Sequence, residues 1–290
     1  MTRQHTASHR SWLAWGMLGL LLLWSGGRLL ANELRPANVP HPETEVRPGL
    51  HYTALDVQAS GYADTGRAYL ARIDLTAPDV ELFVTPPDAR TDSTAWYRLR
   101  YPWQVAWTHD LDLVVNGALF RPPRHGYWPF SWARGHHTTI ADGTASHINP
   151  KSYLLWLTRD RVPHLTTERP APDSVLAQAQ WGMGGLVREL RDGEVHPRTQ
   201  RNGTADNYTM IAACAETKQL WLAAFQDVTR GTAAQIVADQ GATDGLILDG
   251  GGSTAFYMSH DVQNGLGGLH LGGGRPVATH VGVRVRAATP

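Results

Sequence analysis

The sequence predicts an α+β fold, with mixed β-sheets and a few short helices in a single domain. Strand-like apolar runs are frequent, segments with helical periodicity are few and short, and no internal repeat is visible. The chain has 290 residues, of which 42% are hydrophobic and 18% are charged. That length and composition supply enough apolar material for one sizeable core.

The strand predictions follow short apolar runs bounded by turn residues. Two runs lie on either side of a turn at 77–79, which predicts a hairpin, and a second hairpin is predicted across 216–218. The predicted strands are residues 69–75, 80–85, 111–115, 153–158, 186–190, 208–215, 219–225, 245–248 and 281–285.

Two short helices complete the prediction. The first covers residues 93–100, where Ser93 is a capping residue and Pro102 stops the helix. The second follows the last hairpin, with Thr232 as its cap. Gly241 ends it in the position where a left-handed residue usually follows a helix.

The N-terminal residues have the pattern of an export signal. Basic residues precede an apolar run at 12–24, and small residues follow it. A run of about 13 residues is short for a membrane-spanning helix, which needs about 20. We therefore expect a signal peptide or N-terminal anchor at 1–31, a proline-rich linker at 32–49 and a folded domain at 50–290. Both interpretations place the domain outside the cytoplasm, periplasmic or secreted, with membrane contact only through an uncleaved N-terminus.

The charge, cysteine and histidine content narrow the functional classes. Lys and Arg number 26, as do Asp and Glu, so the net charge is zero and no basic stripe points to nucleic acid. Cys214 is the only cysteine, so no intramolecular disulfide can form. The 14 histidines are scattered, and neither H-E-x-x-H nor a cysteine set occurs. We expect no metal and no cofactor; calcium held by loop carboxylates and the oligomeric state stay open.

The sharpest local motif is a glycine-rich turn at the end of a short apolar strand. It reads LDGGGST at 248–254, and Asp249 follows the strand directly. Successive N–H groups in such a turn form a concavity for an anion, and Ser253 and Thr254 add hydroxyl groups. The turn is suited to a phosphate or a sugar hydroxyl, with a purely structural turn as the alternative. It matches neither the P-loop nor the G-x-S-x-G pattern.

Three weaker motifs supply further candidates. Asn116-Gly117 ends a predicted strand, and the Asn116 amide is suited to fixing a sugar hydroxyl, with a hairpin turn as the alternative. Asp142 begins an Asp-Gly pair, for which a tight turn is the favoured interpretation. Arg275 is suited to a bidentate contact with phosphate, with an ordinary surface arginine as the alternative.

The order of these motifs resembles the phosphodiester glycosidase family. That family carries an NG-x-F strand end, a G-x-L-V-x-x-G segment, an Arg before a strand, a helix, LDGGGSST and R-P-V. This chain has NGALF at 116–120, GGLVRELRDG at 184–193, LDGGGST at 248–254 and RPV at 275–277. The resemblance covers about residues 50–286. Its departures are the NGALF segment and a serine run that is one residue shorter.

The resemblance implies hydrolysis of the sugar C1–O bond of a phosphodiester, which releases free sugar and a phosphomonoester. It implies Asp249 as base or nucleophile, Asp142 as a second carboxylate, and Arg275 as a cation beside the phosphate. The family's other arginine position fits either Arg198 or Arg201. The implied substrate-binding residues are Asn116, Gly117, Gly250, Gly251, Gly252, Ser253, Thr254, Arg198, Arg201 and Arg275.

Three functional hypotheses follow, all with a carbohydrate or glycan-phosphate partner. The first is an extracytoplasmic glycosidase acting on a glycan phosphodiester. The second is a non-catalytic glycan-binding or envelope-polysaccharide assembly protein on the same fold. The third is a phosphodiesterase that breaks the P–O bond, although the dense His and Asp ligands of two-metal sites do not stand out here.

Overall fold

The structure is a computed structural model that describes residues 40–88, 96–146, 148–200, 203–262, 265–272 and 274–286. The predicted signal or anchor lies outside these residues, as do Ser93 and Arg201. Within the described residues, no helix is long and apolar enough to cross a membrane.

Helices are few and short in the described part of the chain, and the longest begins at a threonine cap. They are α1 (Pro102–His109), α2 (Asp173–Gln178), α3 (Pro197–Gln200) and α4 (Arg230–Asp239), with a 3₁₀ turn at Gly251–Ser253. The cap of α4 is Thr229, whose hydroxyl accepts a hydrogen bond from the Thr232 N–H at 3.2 Å. Thr232, the predicted cap, is therefore the third residue of the helix. Gly241 follows the helix with φ +98°, as predicted.

The largest sheet has eight strands, and all of its strand pairs are antiparallel. With strands numbered along the chain, its order is β1 (His41–Arg47), β2 (Leu50–Asp56), β3 (Arg67–Asp74), β17 (Gln219–Val228), β16 (Asp206–Cys214), β18 (Asp244–Gly250), β14 (Arg188–Arg191) and β15 (Glu194–Val195). The predicted hairpin across 216–218 is the β16–β17 pair.

Three smaller sheets complete the described fold. One has the order β10 (Thr144–Ala145), β9 (Thr139–Ala141), β13 (Ala179–Gly185), β11 (Tyr153–Thr158) and β12 (Pro163–Leu165). The second has the order β20 (Gly268–Leu271), β19 (Phe256–Met258), β6 (Leu113–Asn116), β21 (His280–Val285) and β4 (Val80–Val84). The third contains β5 (Trp96–Arg98), β8 (Trp132–Gly135) and β7 (Phe120–Arg121).

The eight-stranded sheet separates two apolar cores. Along β16, Ile211 and Ala213 pack with residues of the two five-stranded sheets, whereas Met210 and Ala212 pack with the buried face of α4. Successive side chains of a strand point to opposite faces of its sheet, so one apolar strand serves both cores. The α+β class with few short helices is confirmed. The pairs between named strands are antiparallel throughout, which refines the expected mixture of strand directions.

The hairpin predicted across 77–79 is wrong. The strand before the turn, β3, is paired on both edges by β2 and β17, so no edge is left for β4. Strand β4 instead pairs with β21 in another sheet. The turn carries the chain from one layer of the fold to the next.

Two further local predictions are corrected by strand pairing. Trp96–Arg98, predicted as part of a helix, is strand β5, in which Tyr97 is fully buried and pairs opposite Ala133. Residues 41–47, predicted as part of a linker, form β1 and pair with β2. In both places a partner strand distant in sequence decides the local structure.

Candidate active site

The candidate site forms where two strand ends from different sheets meet. Strand β6 ends at Asn116 and strand β18 ends just after Asp249. The Asp249 N–H donates to the Gly117 carbonyl at 3.0 Å, and the Asn116 side-chain amide donates to the Asp249 carbonyl at 3.0 Å. These two bonds fix the glycine-rich turn after β18 to the end of β6.

Asn116 holds the site together from inside and does not face a ligand. Its side chain is fully buried, and its Oδ1 accepts hydrogen bonds from the Ala255 N–H at 2.9 Å and from the Thr209 hydroxyl. Because the amide is already hydrogen-bonded to four protein groups, the expected contact with a sugar hydroxyl is corrected. Asn116 positions the backbone of Asp249.

Gly117 and Gly250 are required by close backbone packing. A Cβ atom at Gly117 would lie 2.5 Å from Oγ1 of Thr279, and one at Gly250 would lie 2.8 Å from the Asn207 carbonyl oxygen. Real Cβ atoms do not approach other atoms this closely, so a side chain at either position would push the strands apart. Both glycines therefore shape the site from within the protein.

Gly251 and Gly252 form the open side of the turn. Gly251 has φ +56°, a conformation that favours glycine, and a Cβ there would meet no atom within 4 Å. Gly252 is exposed, and a Cβ on it would lie 3.6 Å from Cζ of Arg275. The N–H groups that open a helical turn have no acceptor inside that turn, so this stretch can donate to an anion.

Asp249 is a buried carboxyl group at the base of the turn. It is 6% exposed, and its Oδ1 accepts the Gly250 N–H at 2.9 Å. Burial raises the pKa of Asp249, and hydrogen bonds from Ser253 and Gly250 and the charge of Arg275 oppose that rise. A carboxyl group with a raised pKa beside a fixed cation is typical of acid–base sites.

Arg275 is brought to the turn by Ser253. Its Nε donates to the Ser253 Oγ at 3.0 Å, and Ser253 also donates to Asp249. The guanidinium carbon lies 4.2 Å from the centre of the Tyr127 ring, which packs edge-on against Phe120. Tyr127 is thus a site residue that the sequence motifs did not identify. The only sequence cue was the density of aromatic residues around it.

Thr254 lies on the inner side of the turn. It is 1% exposed, and its hydroxyl has no hydrogen-bond partner among the described residues. The chain at Gly272 passes so close to the Thr254 carbonyl that only glycine fits there. The expected ligand contact from the Thr254 hydroxyl is therefore corrected, because the side chain faces the protein.

Asp142 lies far from Asp249. With Gly143 it forms the tight turn between β9 and β10, with φ +47° at Asp142 and +75° at Gly143. The Gly143 N–H donates to the Gln180 carbonyl near the start of β13, whereas Gly185, at the end of β13, packs against β18. Gln180 and Gly185 are five residues apart on β13, which corresponds to about 16 Å along the strand. The predicted role as second carboxylate is corrected, and the alternative of a tight turn is found.

Of the two remaining predicted arginines, the structure describes Arg198, which lies away from the Asp249 cluster. Arg198 is exposed on α3 and lines a separate pocket with Arg188, Arg191 and Arg230. Arg201 lies outside the described residues. Within the described residues, no group of three His, Cys, Asp or Glu side chains is arranged to hold a metal ion.

The sequence resembles a known protein family, and the fold resembles solved structures. A model of the family described as "Phosphodiester glycosidase" matches residues 109–284, which include the Asn116 strand end, the glycine turn and Arg275. The chain matches no curated protein sequence.

Two solved structures share the fold at low sequence identity. One is the zebrafish N-acetylglucosamine-1-phosphodiester alpha-N-acetylglucosaminidase catalytic domain, auto-inhibited by its pro-peptide. It is 15% identical, with a TM-score of 0.62 over 89% of this chain and 93% of that one. The other is a hypothetical protein from Synechocystis, 13% identical, with a TM-score of 0.54 over 85% of this chain and 64% of that one. At these identities the likeness concerns the fold alone.

Proposed function

The chain belongs to the phosphodiester glycosidase family, and we propose that it is an exported hydrolase that cleaves the sugar C1–O bond of a glycan or sugar phosphodiester. Its products would be free sugar and a phosphomonoester. The observation that carries this proposal is the contact series from Asp249 through Ser253 to Arg275. It sets a buried carboxyl group and a cation on one glycine turn.

The geometry suits a leaving group that carries negative charge. Ordinary glycosidases use one carboxyl group to protonate the departing oxygen and another as nucleophile or base. A phosphomonoester is a weak base and needs little protonation, but its charge must be stabilised as the bond breaks. The Arg275 guanidinium and the backbone of the exposed Gly251–Gly252 turn would supply that stabilisation.

Asp249 would act on the sugar side of the scissile bond. In its carboxylate form it attacks C1 or takes a proton from an attacking water molecule. Its raised pKa makes it a stronger base than an ordinary surface aspartate. Asn116 and Gly117 hold the Asp249 backbone, so the carboxyl group starts each turnover from a fixed position.

The aromatic residues beside Arg275 supply a surface for the sugar. Tyr127 stacks on Arg275, and the next residues include Trp128 and Phe130, which are 65% and 54% exposed. Large exposed aromatic side chains next to a polar site mark binding surfaces, and their faces stack on the apolar faces of sugars.

A non-catalytic glycan-binding protein is the second candidate, and one observation favours it. Among the described residues, the groups that act on the pKa of Asp249 are Ser253, Gly250 and Arg275, and no second carboxylate is among them. A site with a single carboxyl group can bind a sugar phosphate without cleaving it.

Hydrolysis of defined sugar phosphodiesters tests the proposal. Purified protein is incubated with a UDP-sugar and with methyl-phospho-sugar models, with and without EDTA, and products are identified by chromatography. We expect free sugar from the wild type, and a loss of kcat of about 100-fold or more in Asp249→Asn.

Asp142→Asn is the matched control for this experiment. Asn tolerates the left-handed conformation of that turn, and the site is remote from Asp249. It should retain wild-type turnover. Release of sugar phosphate would move the broken bond to P–O and overturn the mechanism, and binding without turnover would favour the second candidate.

A further inference from the structure

Arginines make up half of the residues that line a second pocket, distinct from the Asp249 site. It has a volume of about 340 Å³ and draws on residues before α2, on β14, on α3 and on the first turn of α4. Its arginines are Arg169, Arg188, Arg191, Arg198 and Arg230. The described residues that line it include none of Asp249, Ser253 and Arg275.

Three of the five arginines have carboxylate partners. Arg230 contacts Glu189, which is fully buried and also accepts a hydrogen bond from the Thr199 hydroxyl. Arg188 lies 3.6 Å from Asp244, and Arg191 lies 3.0 Å from the exposed Asp192. Five arginines against three acids leave a net charge of +2 at this pocket.

Arg169 and Arg198 carry that excess charge. Neither has a carboxylate partner among the described residues, and both are exposed. Arg169 lies 4.5 Å from the centre of the Tyr153 ring, and Arg188 approaches the same ring at 5.9 Å. Converging like charges repel one another, so an anion bound between them would relieve an existing cost.

The buried side of the pocket contains guanidinium atoms without hydrogen-bond partners within the described part of the chain. The Nε atoms of Arg188 and Arg230 are buried and have no hydrogen-bond partner in the described residues. Because these Nε atoms are inaccessible, an anion in the pocket would be held by the terminal nitrogens of the arginines. Arginine donors in a fork match the oxygen atoms of phosphate.

The pocket also has an apolar side. Leu186, which is 44% exposed, and the Tyr153 ring lie beside the arginines. A volume of about 340 Å³ falls in the range of small-ligand sites. The combination is suited to a phosphate group together with part of an attached sugar or polyol.

Its position relates the pocket to the Asp249 site. Arg188 lies on β14 opposite Leu246 of β18, three residues before Asp249 on the same strand. That separation is about 10 Å along the strand. The pocket and the Asp249 site therefore lie on neighbouring strands of the same sheet.

We infer that this arginine pocket is a second anion-binding site, which holds a phosphate of a phosphate-bearing glycan next to the unit being cleaved. The inference rests on the proposed function for the nature of the polymer, and it makes the substrate polyanionic, with more than one phosphate. Arg169 and Arg198 are its principal ligands.

Binding measurements test the inference without requiring turnover. Calorimetric titrations of the whole protein would use a poly(glycerol phosphate) chain, inorganic phosphate and neutral dextran. The double variant Arg169→Gln/Arg198→Gln should bind the phosphate polymer at least about tenfold more weakly than the wild type. Both side chains are exposed, so the variant should unfold at the wild-type temperature.

Arg159→Gln is the matched control, because Arg159 is also exposed and lies beyond the far end of β11 from Tyr153. It should leave affinity within about twofold of the wild type. Equal weakening by the control and the double variant, or unchanged affinity in the double variant, would overturn the site. So would dextran binding as tight as the polymer. These titrations measure binding and do not depend on turnover, which separates their result from failure of the proposed hydrolysis.

Discussion

At the scale of single residues, Asp249 combines opposing requirements. Burial raises its pKa and thereby disfavours the charged form, while Ser253, Gly250 and Arg275 favour it. The pKa of Asp249 is raised overall. At neutral pH the charged carboxylate is therefore less stable in the folded protein than in the unfolded chain. Function and stability are therefore in conflict at this residue.

Asp249→Asn should consequently increase the free energy of unfolding at pH 7. A group whose folded pKa is raised favours folding most when it is protonated, and this contribution is lost as the pH rises through the folded pKa. The Asn variant avoids that loss, so its advantage should be present at pH 7 and absent below about pH 4, where the aspartate is protonated in both states. Urea unfolding of both proteins at pH 7 and pH 3.5 measures this. A variant that is less stable than the wild type at pH 7 would contradict it.

Residue identity alone could not separate the site from its surroundings. Asp249 and Arg275 were predicted as site residues from local motifs because each lies in a compact pattern. Asp142 fits its motif equally well but lies at the other end of β13. The sequence predicts that Asn116 contacts the substrate, but in the structure its amide oxygen accepts a hydrogen bond from Thr209, 93 residues away. Such assignments depend on packing between distant segments, which spacing along the chain does not contain.

At the scale of elements, the site depends on a close junction between β6 and its neighbours. The Gly117 N–H donates to the Thr279 carbonyl at 2.7 Å, just before β21, while the Gly117 carbonyl accepts from Asp249. One residue thus joins β6 to both the C-terminal strand and the glycine turn. The approach is close enough that a methyl group has no room.

Gly117→Ala should therefore destabilise the protein. The new Cβ would lie 2.5 Å from Oγ1 of Thr279 and 2.9 Å from its carbonyl carbon, so the strands must separate. We expect a loss of about 1–3 kcal/mol in the free energy of unfolding. Gly203→Ala is the control, because a Cβ there meets nothing within 4 Å, and it should change stability by less than about 0.5 kcal/mol. Equal stability of the two variants in urea would refute the steric role of Gly117.

Strands with strong apolar runs could be predicted from the sequence. Strands whose conformation depends on pairing with a distant strand could not. Residues 153–158 match β11, and the run at 208–225 gives the β16–β17 hairpin. The short β5 was read as a helix because its three residues carry too little periodicity to identify a strand. Pairing with β8 supplies the missing information.

At the scale of the whole molecule, β1 connects two layers of the fold. Val46 is fully buried in the larger core, and Arg47 donates to Asp112 at 2.9 Å. Asp112 directly precedes β6 and also accepts the Val285 N–H of β21 at 2.7 Å. The segment predicted as the end of a linker therefore bridges the eight-stranded sheet and the sheet that carries Asn116.

The domain should therefore begin near Pro40 and not at residue 50. A protein comprising residues 50–290 lacks β1, exposes the edge of β2 and loses the Arg47–Asp112 ion pair. We expect its Tm to fall by about 4–8 °C relative to residues 40–290, because a loss of about 2 kcal/mol shifts a domain of this size by that amount. Differential scanning calorimetry of the two proteins measures the difference. Equal Tm values would restore the boundary at residue 50 and remove β1 from the folded domain, whereas the expected fall makes residues 41–47 part of the scaffold that holds Asn116 against Asp249.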